Sequence, residues 1–135
     1  MALNILVVDD SSVMRAMIIK TLRLSQLPLG EVLEAPNGQE ALKVLDNKWI
    51  DLALVDINMP VMDGEEMIDT LRQNPETADL PVIIISTEGS ETRKESLLQR
   101  GTGFVHKPFT PETLRDTILK TIGGLDEQKA GEGTV

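Results

Sequence analysis

The chain has 135 residues, of which 41% are hydrophobic and 26% charged, and its formal net charge is -9 at pH 7. This length suits one domain and is too short for two. The negative charge argues against non-specific binding to DNA or to an anionic membrane, because both need a basic face. The lack of cysteine excludes disulfides and thiolate metal sites. No apolar run suits a signal peptide or a membrane span, so we expect a cytoplasmic protein.

Strand-like and helix-like segments alternate from the first residues of the chain. The first strand is predicted over residues 4–8, and the first helix over residues 12–24, where apolar side chains recur at helical spacing. The predicted inward face of this helix contains Val13, Met14, Met17, Ile18 and Leu22. The second strand is predicted over residues 31–35 with glutamate near both ends, which is typical of an edge strand.

The middle of the chain continues the alternation. Asn37 can cap a second helix, since Glu40 follows three residues later. That helix should turn Ala41, Leu42 and Leu45 inward. The third strand is predicted over residues 52–55 and the third helix over residues 64–73. The third helix should bury Met67, Ile68 and Leu71.

The last part of the chain holds two more strand–helix pairs. A strand over residues 82–85 precedes a helix over residues 91–100, and Gly101 suits the C-cap of that helix. After a fifth strand over residues 103–105, Thr110-Pro111-Glu112 marks the start of the last helix. Gly123-Gly124 is predicted to end it. Residues 1–123 are therefore predicted to form one domain, and the polar residues 124–135 a flexible tail.

Five strand–helix units with continuous Val, Ile and Leu strands indicate a parallel sheet covered by helices on both faces. We predict an α/β, doubly wound, flavodoxin-like fold with five helices and strand order 2-1-3-4-5. In such sheets ligands bind beyond the carboxyl ends of the strands, where the strand order reverses. That point lies here between the first and third strands.

Polar side chains follow the predicted strands at this edge. Asp9 and Asp10 follow the first strand, Asp56 the third, Ser86 the fourth and Lys107 the fifth. Three carboxylates this close repel one another unless a proton or a cation neutralises them. Because the candidate ligands are oxygens, Mg²⁺ suits the site. A lysine and a hydroxyl can stabilise a transferring phosphoryl group, so we predict a metal-dependent phosphoryl-acceptor site.

The segments around these residues also carry a family resemblance. They are Val7-Val8-Asp9-Asp10-Ser11, the run from Val55 to Gly64, Ile85-Ser86-Thr87-Glu88, and Lys107-Pro108-Phe109. Each segment alone is a weak signal, and the four in this order are highly specific. Over about residues 3–122 the chain resembles a response-regulator receiver domain of the single-domain, CheY-like type.

The resemblance implies a phosphoacceptor and a set of metal ligands. Asp56 would accept a phosphoryl group from a histidine kinase and form an acyl phosphate. Asp10 would bind Mg²⁺ or Mn²⁺ directly, and Asp9 would bind it directly or through water. Asp56 and the backbone carbonyl of Asn58 would complete the ligands from the protein.

The resemblance also implies a conformational switch. Lys107 would pair with the phosphoryl oxygens, Ser86 would move toward them, and Phe104 would then change rotamer. The face formed by the fourth helix, the fifth strand and the fifth helix would present this change to a protein partner. Phe104 lacks the hydroxyl of a tyrosine, so the switch would work through packing.

Three further residues flank the site. The peptide before Pro108 is commonly cis in the family. Thr87 is larger than the alanine or glycine usual at that position, which should narrow access for small phosphodonors and water. The pair of Asn58 and Glu88 matches chemotaxis receivers and favours relatively fast signal decay.

The resulting expectation is a stand-alone response regulator of a two-component phosphorelay, with chemotaxis as a candidate pathway. It would catalyse only its own phosphorylation and dephosphorylation. Its partners would be a histidine kinase or histidine phosphotransfer protein and a downstream protein target, with no nucleic acid. It would be a monomer or a weak, phosphorylation-dependent dimer.

Other functions remain open to different degrees. A phosphorylation-independent receiver that serves as an interaction module, or a phosphate sink, would use the same fold. An aspartyl-phosphate phosphatase is disfavoured because it needs Asp-x-Asp, and position 58 is asparagine. A nucleotide-binding domain is disfavoured because no glycine-rich turn follows the first strand.

Overall fold

Five strands alternate with five helices in a computed structural model that describes residues 2–57, 64–86 and 91–134. The strands are β1 (Leu3–Val8), β2 (Leu29–Ala35), β3 (Leu52–Val55), β4 (Val82–Ser86) and β5 (Gly103–His106). The helices are α1 (Ser12–Leu24), α2 (Gly38–Asn47), α3 (Gly64–Gln73), α4 (Glu91–Gln99) and α5 (Pro111–Thr134). The predicted alternation is confirmed.

The strands form one parallel sheet in the order β2-β1-β3-β4-β5. This confirms the predicted doubly wound topology and the edge position of β2. The strand that follows β1 in the chain lies on one side of it, and the remaining strands lie on the other side, beginning with β3. The order of the strands therefore reverses between β1 and β3, and the carboxyl ends of these two strands flank the crevice where such folds bind ligands.

The core lies on both faces of the sheet, because alternate strand residues point to opposite faces. One face of β1 and β3 packs toward α2 and α3 through Leu6, Val8, Ala53 and Val55. The other face packs toward α1 and α5 through Ile5, Val7, Leu52 and Leu54. Strands buried on both sides explain the unbroken apolar runs in the sequence.

Helix α1 differs from the prediction in which residues it buries. Ile18 and Leu22 are buried, and Met14 packs against the same cluster. Val13 and Met17, which we predicted to face inward, are 73% and 52% exposed. These two precede Met14 and Ile18 by one residue, and a step of one residue turns an α-helix by about 100°. The prediction was wrong for Val13 and Met17 because it made the apolar stripe too wide.

The predicted helix caps are confirmed at three positions. Asn37 Oδ1 accepts a hydrogen bond from the Glu40 N–H at 2.9 Å, and Thr110 Oγ1 accepts one from the Thr113 N–H at 3.1 Å. Gly101 follows α4 with a φ of 79°, a conformation that glycine adopts without strain.

The end of α5 is a further difference from the prediction. The helix continues to Thr134 instead of ending at Gly123-Gly124. Glycine inside a helix costs about 1 kcal/mol relative to alanine, which weakens a helix without forbidding it. The division into a domain over residues 1–123 and a flexible tail stays a prediction. Among the helices in the described ranges, none has the length and apolarity that crossing a bilayer requires.

Candidate metal and phosphoryl site

The sheet brings the predicted acids together through its backbone hydrogen bonds. The Asp9 N–H donates to the Ala35 carbonyl at 3.1 Å, and the Asp56 N–H donates to the Val8 carbonyl at 2.9 Å. Each acid thus emerges directly from a paired strand end. The backbone there is fixed on both sides of the crevice before any ligand binds.

Three carboxylates converge at this edge. One oxygen from each of Asp9, Asp10 and Asp56 lies within 4.8 Å of the others. Asp9 is buried, Asp56 is partly buried and Asp10 is exposed. The cluster is therefore open to solvent on the Asp10 side, where an ion or a phosphodonor can approach. Its all-oxygen donor set is the kind that Mg²⁺ prefers.

Asp9 carries the clearest sign that the site is built for a cation. Its Oδ1 accepts a hydrogen bond from the Ser11 N–H at 2.9 Å. Its Oδ2 is buried and accepts no hydrogen bond from the described residues. Buried polar atoms normally have a partner, so a cation or its bound water suits this oxygen.

Burial also raises the pKa of the Asp9 carboxyl above its ordinary value. The Ser11 N–H and the charge of Lys107 oppose this rise, and neighbouring Asp10 adds to it. The carboxylate is thus held in a position where its negative charge is costly without a counterion.

Lys107 supplies the positive charge of the site. Its Nζ lies 3.7 Å from Asp9 Oδ2 and 3.9 Å from Asp56 Oδ1, and its side chain is 17% exposed. The Lys107 N–H donates to the Ser86 carbonyl at 2.8 Å, which anchors the residue to the end of β4. The Lys107–Pro108 peptide bond is cis, as the family resemblance implied. The ammonium group can therefore interact with an oxygen carried on Asp56.

Gly64 shows how closely α3 approaches the site. Its N–H donates to the Ile57 carbonyl at 2.9 Å. A Cβ at this position would lie 2.7 Å from the Asp56 carbonyl oxygen and 2.9 Å from Ile57 Cα. Real side chains do not make such contacts with backbone, so any other residue would displace the segment that carries Asp56.

The two predicted switch residues lie on the same face of the sheet. Ser86 is buried at the end of β4. Phe104 pairs with Ile84, two residues before Ser86, and residues two apart on a strand share a face. Lys94 Nζ of α4 lies 5.3 Å from the centroid of the Phe104 ring, within the range of a cation–π interaction. His106, whose ring centroid lies 6.3 Å from that of Phe104, is exposed.

The structure thus brings Asp9, Asp10, Asp56 and Lys107 together and places Ser86 on the adjoining strand end. Asn58, Thr87 and Glu88 lie outside the described residues, so their predicted roles stay predictions.

One residue at the site was not found from the sequence. Arg15 of α1 donates from Nη1 to the Asp9 main-chain carbonyl at 2.6 Å and from Nε to Glu34 Oε1 at 2.9 Å. In the sequence, Arg15 is an arginine on the first turn of the helix that follows Asp9 and Asp10. Nothing in that position distinguishes it from a solvated arginine such as Arg23 on the same helix.

Comparisons with known proteins agree with this geometry. The family model for the response regulator receiver domain matches residues 5–119. A chemotaxis protein CheY homolog of Campylobacter jejuni is 36% identical over 132 residues, which cover 96% of this chain and 100% of that protein.

Solved structures give the same result. The chemotaxis response regulator CheY4 of Vibrio cholerae superposes with a TM-score of 0.79 at 34% identity, covering 90% of this chain and 99% of that chain. The receiver domain of a sensor histidine kinase from Pseudomonas aeruginosa has a TM-score of 0.78 at 25% identity, covering 91% and 99%. That domain was solved with a magnesium ion coordinated in its active site cleft.

Proposed function

The chain belongs to the response regulator receiver domain family and is homologous to a CheY protein over that protein's whole length, and we propose that it is the phosphoryl-accepting switch of a chemotaxis pathway. In this proposal Asp56 takes a phosphoryl group from a histidine kinase or a histidine phosphotransfer protein. The phosphorylated form then binds a downstream protein target.

The observation that carries the proposal is the convergence of charges at the crevice. Asp9, Asp10 and Asp56 place carboxylate oxygens within 4.8 Å of one another, and Lys107 lies within 3.9 Å of two of these acids. Among the described residues, three acids cluster beside one lysine ammonium, so this part of the site carries an excess of negative charge that a divalent cation would neutralise.

The proposed cation is Mg²⁺, with Mn²⁺ as a substitute. Asp10 and Asp56 would bind it directly, Asp9 directly or through water, and the backbone carbonyl of Asn58 would add a ligand. When bound, it would neutralise the acids and the phosphoryl oxygens, so that an anionic donor can approach an anionic acceptor. The partly buried Asp56 and the exposed Asp10 leave the approach to the site open.

The protein's own residues account for the transfer step. A carboxylate oxygen of Asp56 attacks phosphorus and forms the O–P bond as the P–N bond of the donor phosphohistidine breaks. The leaving imidazole nitrogen keeps that electron pair and takes a proton. Lys107 pairs with the oxygens of the transferring group, whose negative charge its ammonium stabilises through the transition state.

The switch would follow from the new charge on Asp56. The Ser86 hydroxyl can donate a hydrogen bond to a phosphoryl oxygen once that oxygen stands beside the end of β4. Because Phe104 lies on the same face of the neighbouring strand, movement at Ser86 would open space for its ring. The changed ring would alter the surface made by α4, β5 and α5, where the protein target binds.

The proposal assigns no turnover of a separate substrate to this protein. Hydrolysis of the acyl phosphate would return it to the resting state. Thr87 would narrow the access of water, and the pair of Asn58 and Glu88 would favour relatively fast decay. The cytoplasmic location and the monomeric or weakly dimeric state stay predictions.

The proposal is tested by locating the phosphoryl group. The protein would be treated with phosphoramidate and MgCl₂, reduced with borohydride, and mapped by tandem mass spectrometry. Borohydride reduces an acyl phosphate to an alcohol, so conversion of Asp56 to homoserine supports the proposal. Reduction at another carboxylate would refute the assignment of Asp56. Protein that gives no reduced residue, and that also fails to bind beryllofluoride, would favour the phosphorylation-independent interaction module.

A further inference from the structure

Arg15 forms a bridge between the acid pair and the edge of the sheet. Its Nη1 donates to the main-chain carbonyl of Asp9 at 2.6 Å, and its Nε donates to Glu34 Oε1 at 2.9 Å. The Arg15 side chain is only 16% exposed, and the Glu34 side chain is 47% exposed. A mostly buried guanidinium that donates to acceptors at two neighbouring strand ends is more restrained than a solvated surface arginine.

The carbonyl that Arg15 contacts belongs to the peptide between Asp9 and Asp10. The pairing of β1 ends at Val8, and the Asp9 N–H makes a last bond to Ala35. Beyond that bond the sheet no longer fixes the backbone. The orientation of the next peptide contributes to the direction of both acids. The short, charge-assisted bond from Arg15 holds the carbonyl of that peptide, while the Ser11 N–H holds Asp9 Oδ1 at 2.9 Å.

Glu34 gives the bridge a second property. A lone positive charge near the acid cluster would oppose a divalent cation, because like charges repel. The ion pair with Glu34 offsets the charge of Arg15 at 2.9 Å. Arg15 can therefore hold the backbone without adding a net positive charge beside the site.

We infer that Arg15, anchored by Glu34, is a positioning residue that orients the Asp9–Asp10 peptide so that both carboxylates can bind the cation. This inference rests on the proposed function, since it concerns the same site. It assigns Arg15 no contact with the phosphoryl group or with the ion. Residues that orient metal ligands commonly change metal affinity by about 10- to 100-fold when they are replaced.

The test is the sign of the change in Mg²⁺ affinity in Arg15→Met. Coulomb's law alone says that removing a positive charge tightens the binding of a cation. Loss of positioning weakens it instead. We expect Arg15→Met to bind Mg²⁺ at least about tenfold more weakly in isothermal titration calorimetry with MgCl₂. Circular dichroism and urea denaturation would establish that the variant is folded.

The matched control is Arg23→Met, which removes the same charge from an exposed position on the same helix. It should bind Mg²⁺ as the wild type does. Arg15→Met with unchanged or tighter binding would overturn the inference, and so would equal weakening in both variants.

Arg15→Lys decides the question if Arg15→Met does not fold. In this variant a single ammonium group replaces the guanidinium, which donates to both Asp9 and Glu34. The affinity for Mg²⁺ should therefore still fall by about threefold or more. Wild-type affinity in folded Arg15→Lys would then overturn the inference. If the wild type binds Mg²⁺ and accepts the phosphoryl group while the variants match it, only this inference fails. If the wild type binds no Mg²⁺, the proposed function fails with it.

Discussion

Lys107 Nζ lies 3.9 Å from Asp56 Oδ1 although β4 separates their two strands in the sheet. The lysine side chain must therefore reach past the carboxyl end of β4, the strand that ends in Ser86. The Lys107 backbone N–H, bonded to the Ser86 carbonyl at 2.8 Å, fixes the point from which the side chain extends. Asp56, Ser86 and Lys107 thus lie at the ends of three neighbouring strands.

Replacing Lys107 tests its role in the transfer. In Lys107→Met we expect the rate of phosphorylation by phosphoramidate to fall by about 100-fold, because the charge that stabilises the transferring group is lost. The same change should tighten Mg²⁺ binding, since a positive charge leaves the site. Rates would be followed by intact-mass spectrometry and affinity by calorimetry.

The control is Lys43→Met on α2, whose side chain is 67% exposed. It should leave both quantities unchanged. A Lys107→Met protein that is phosphorylated at the wild-type rate would show that Lys107 does not assist the transfer.

Asp9 gives a prediction about stability and pH. Because burial raises the pKa of Asp9, the folded protein holds the proton of the Asp9 carboxyl more tightly than the unfolded chain does. Above the raised pKa the Asp9 carboxylate is ionised and therefore lowers the free energy of unfolding of the metal-free protein. This loss of stability disappears below the ordinary pKa of 3.8, where the carboxyl is protonated in both states. We expect Asp9→Asn to stabilise the metal-free protein near neutral pH by roughly 1 kcal/mol. Urea denaturation with EDTA would measure this gain.

The gain in stability of Asp9→Asn over the wild type should shrink as the pH falls. It should be lost or reversed with saturating Mg²⁺, which only the wild type binds well. Asp116→Asn, an exposed change on α5, is the control and should stay within about 0.5 kcal/mol of wild type. Destabilisation of metal-free Asp9→Asn at neutral pH would show that the carboxylate is satisfied without a cation.

The edge of the sheet that carries the candidate site could be predicted because its position depends on strand direction alone. Parallel strands end at the same edge, so Asp9, Asp56 and Lys107 had to meet once their strands were identified. Because those strands are buried on both faces, they appear in the sequence as unbroken apolar runs.

The features that could not be predicted depend on side-chain direction. Met17 and Ile18 are adjacent apolar residues, and only packing against the sheet decides that Ile18 is buried and Met17 exposed. Arg15 contacts the Asp9 carbonyl because α1 crosses beside β2, a relation that no local spacing encodes.

The proposed switch can be tested at the two phenylalanines of the chain. Protein labelled with 4-fluorophenylalanine should give two ¹⁹F signals, assigned with Phe104→Leu. Beryllofluoride with Mg²⁺ mimics the phosphoryl group, and we expect it to shift the Phe104 signal because that ring packs under Lys94 at 5.3 Å. The Phe109 signal should move less. An unchanged Phe104 signal would argue against a switch at this residue.

The fluorescence of Trp49 is predicted to change little when Mg²⁺ binds. Trp49 is 80% exposed, donates from Nε1 to Asp51 Oδ1 at 2.9 Å, and precedes β3, whereas Asp56 follows that strand. Strand residues rise about 3.3 Å each, so β3 alone separates the indole from the site by more than about 13 Å. Adding MgCl₂ should therefore barely change its fluorescence. Strong quenching would contradict the assigned strand direction.

In the proposed function Asp56 accepts a phosphoryl group in a reaction that needs a divalent cation. The decisive experiment is intact-mass spectrometry after incubation with phosphoramidate and MgCl₂, with Asp56→Asn and an EDTA-treated sample as controls. We expect a single added phosphoryl group on the wild type and none on either control. An adduct of equal yield on Asp56→Asn, or one that forms equally well in EDTA, would contradict the proposed function.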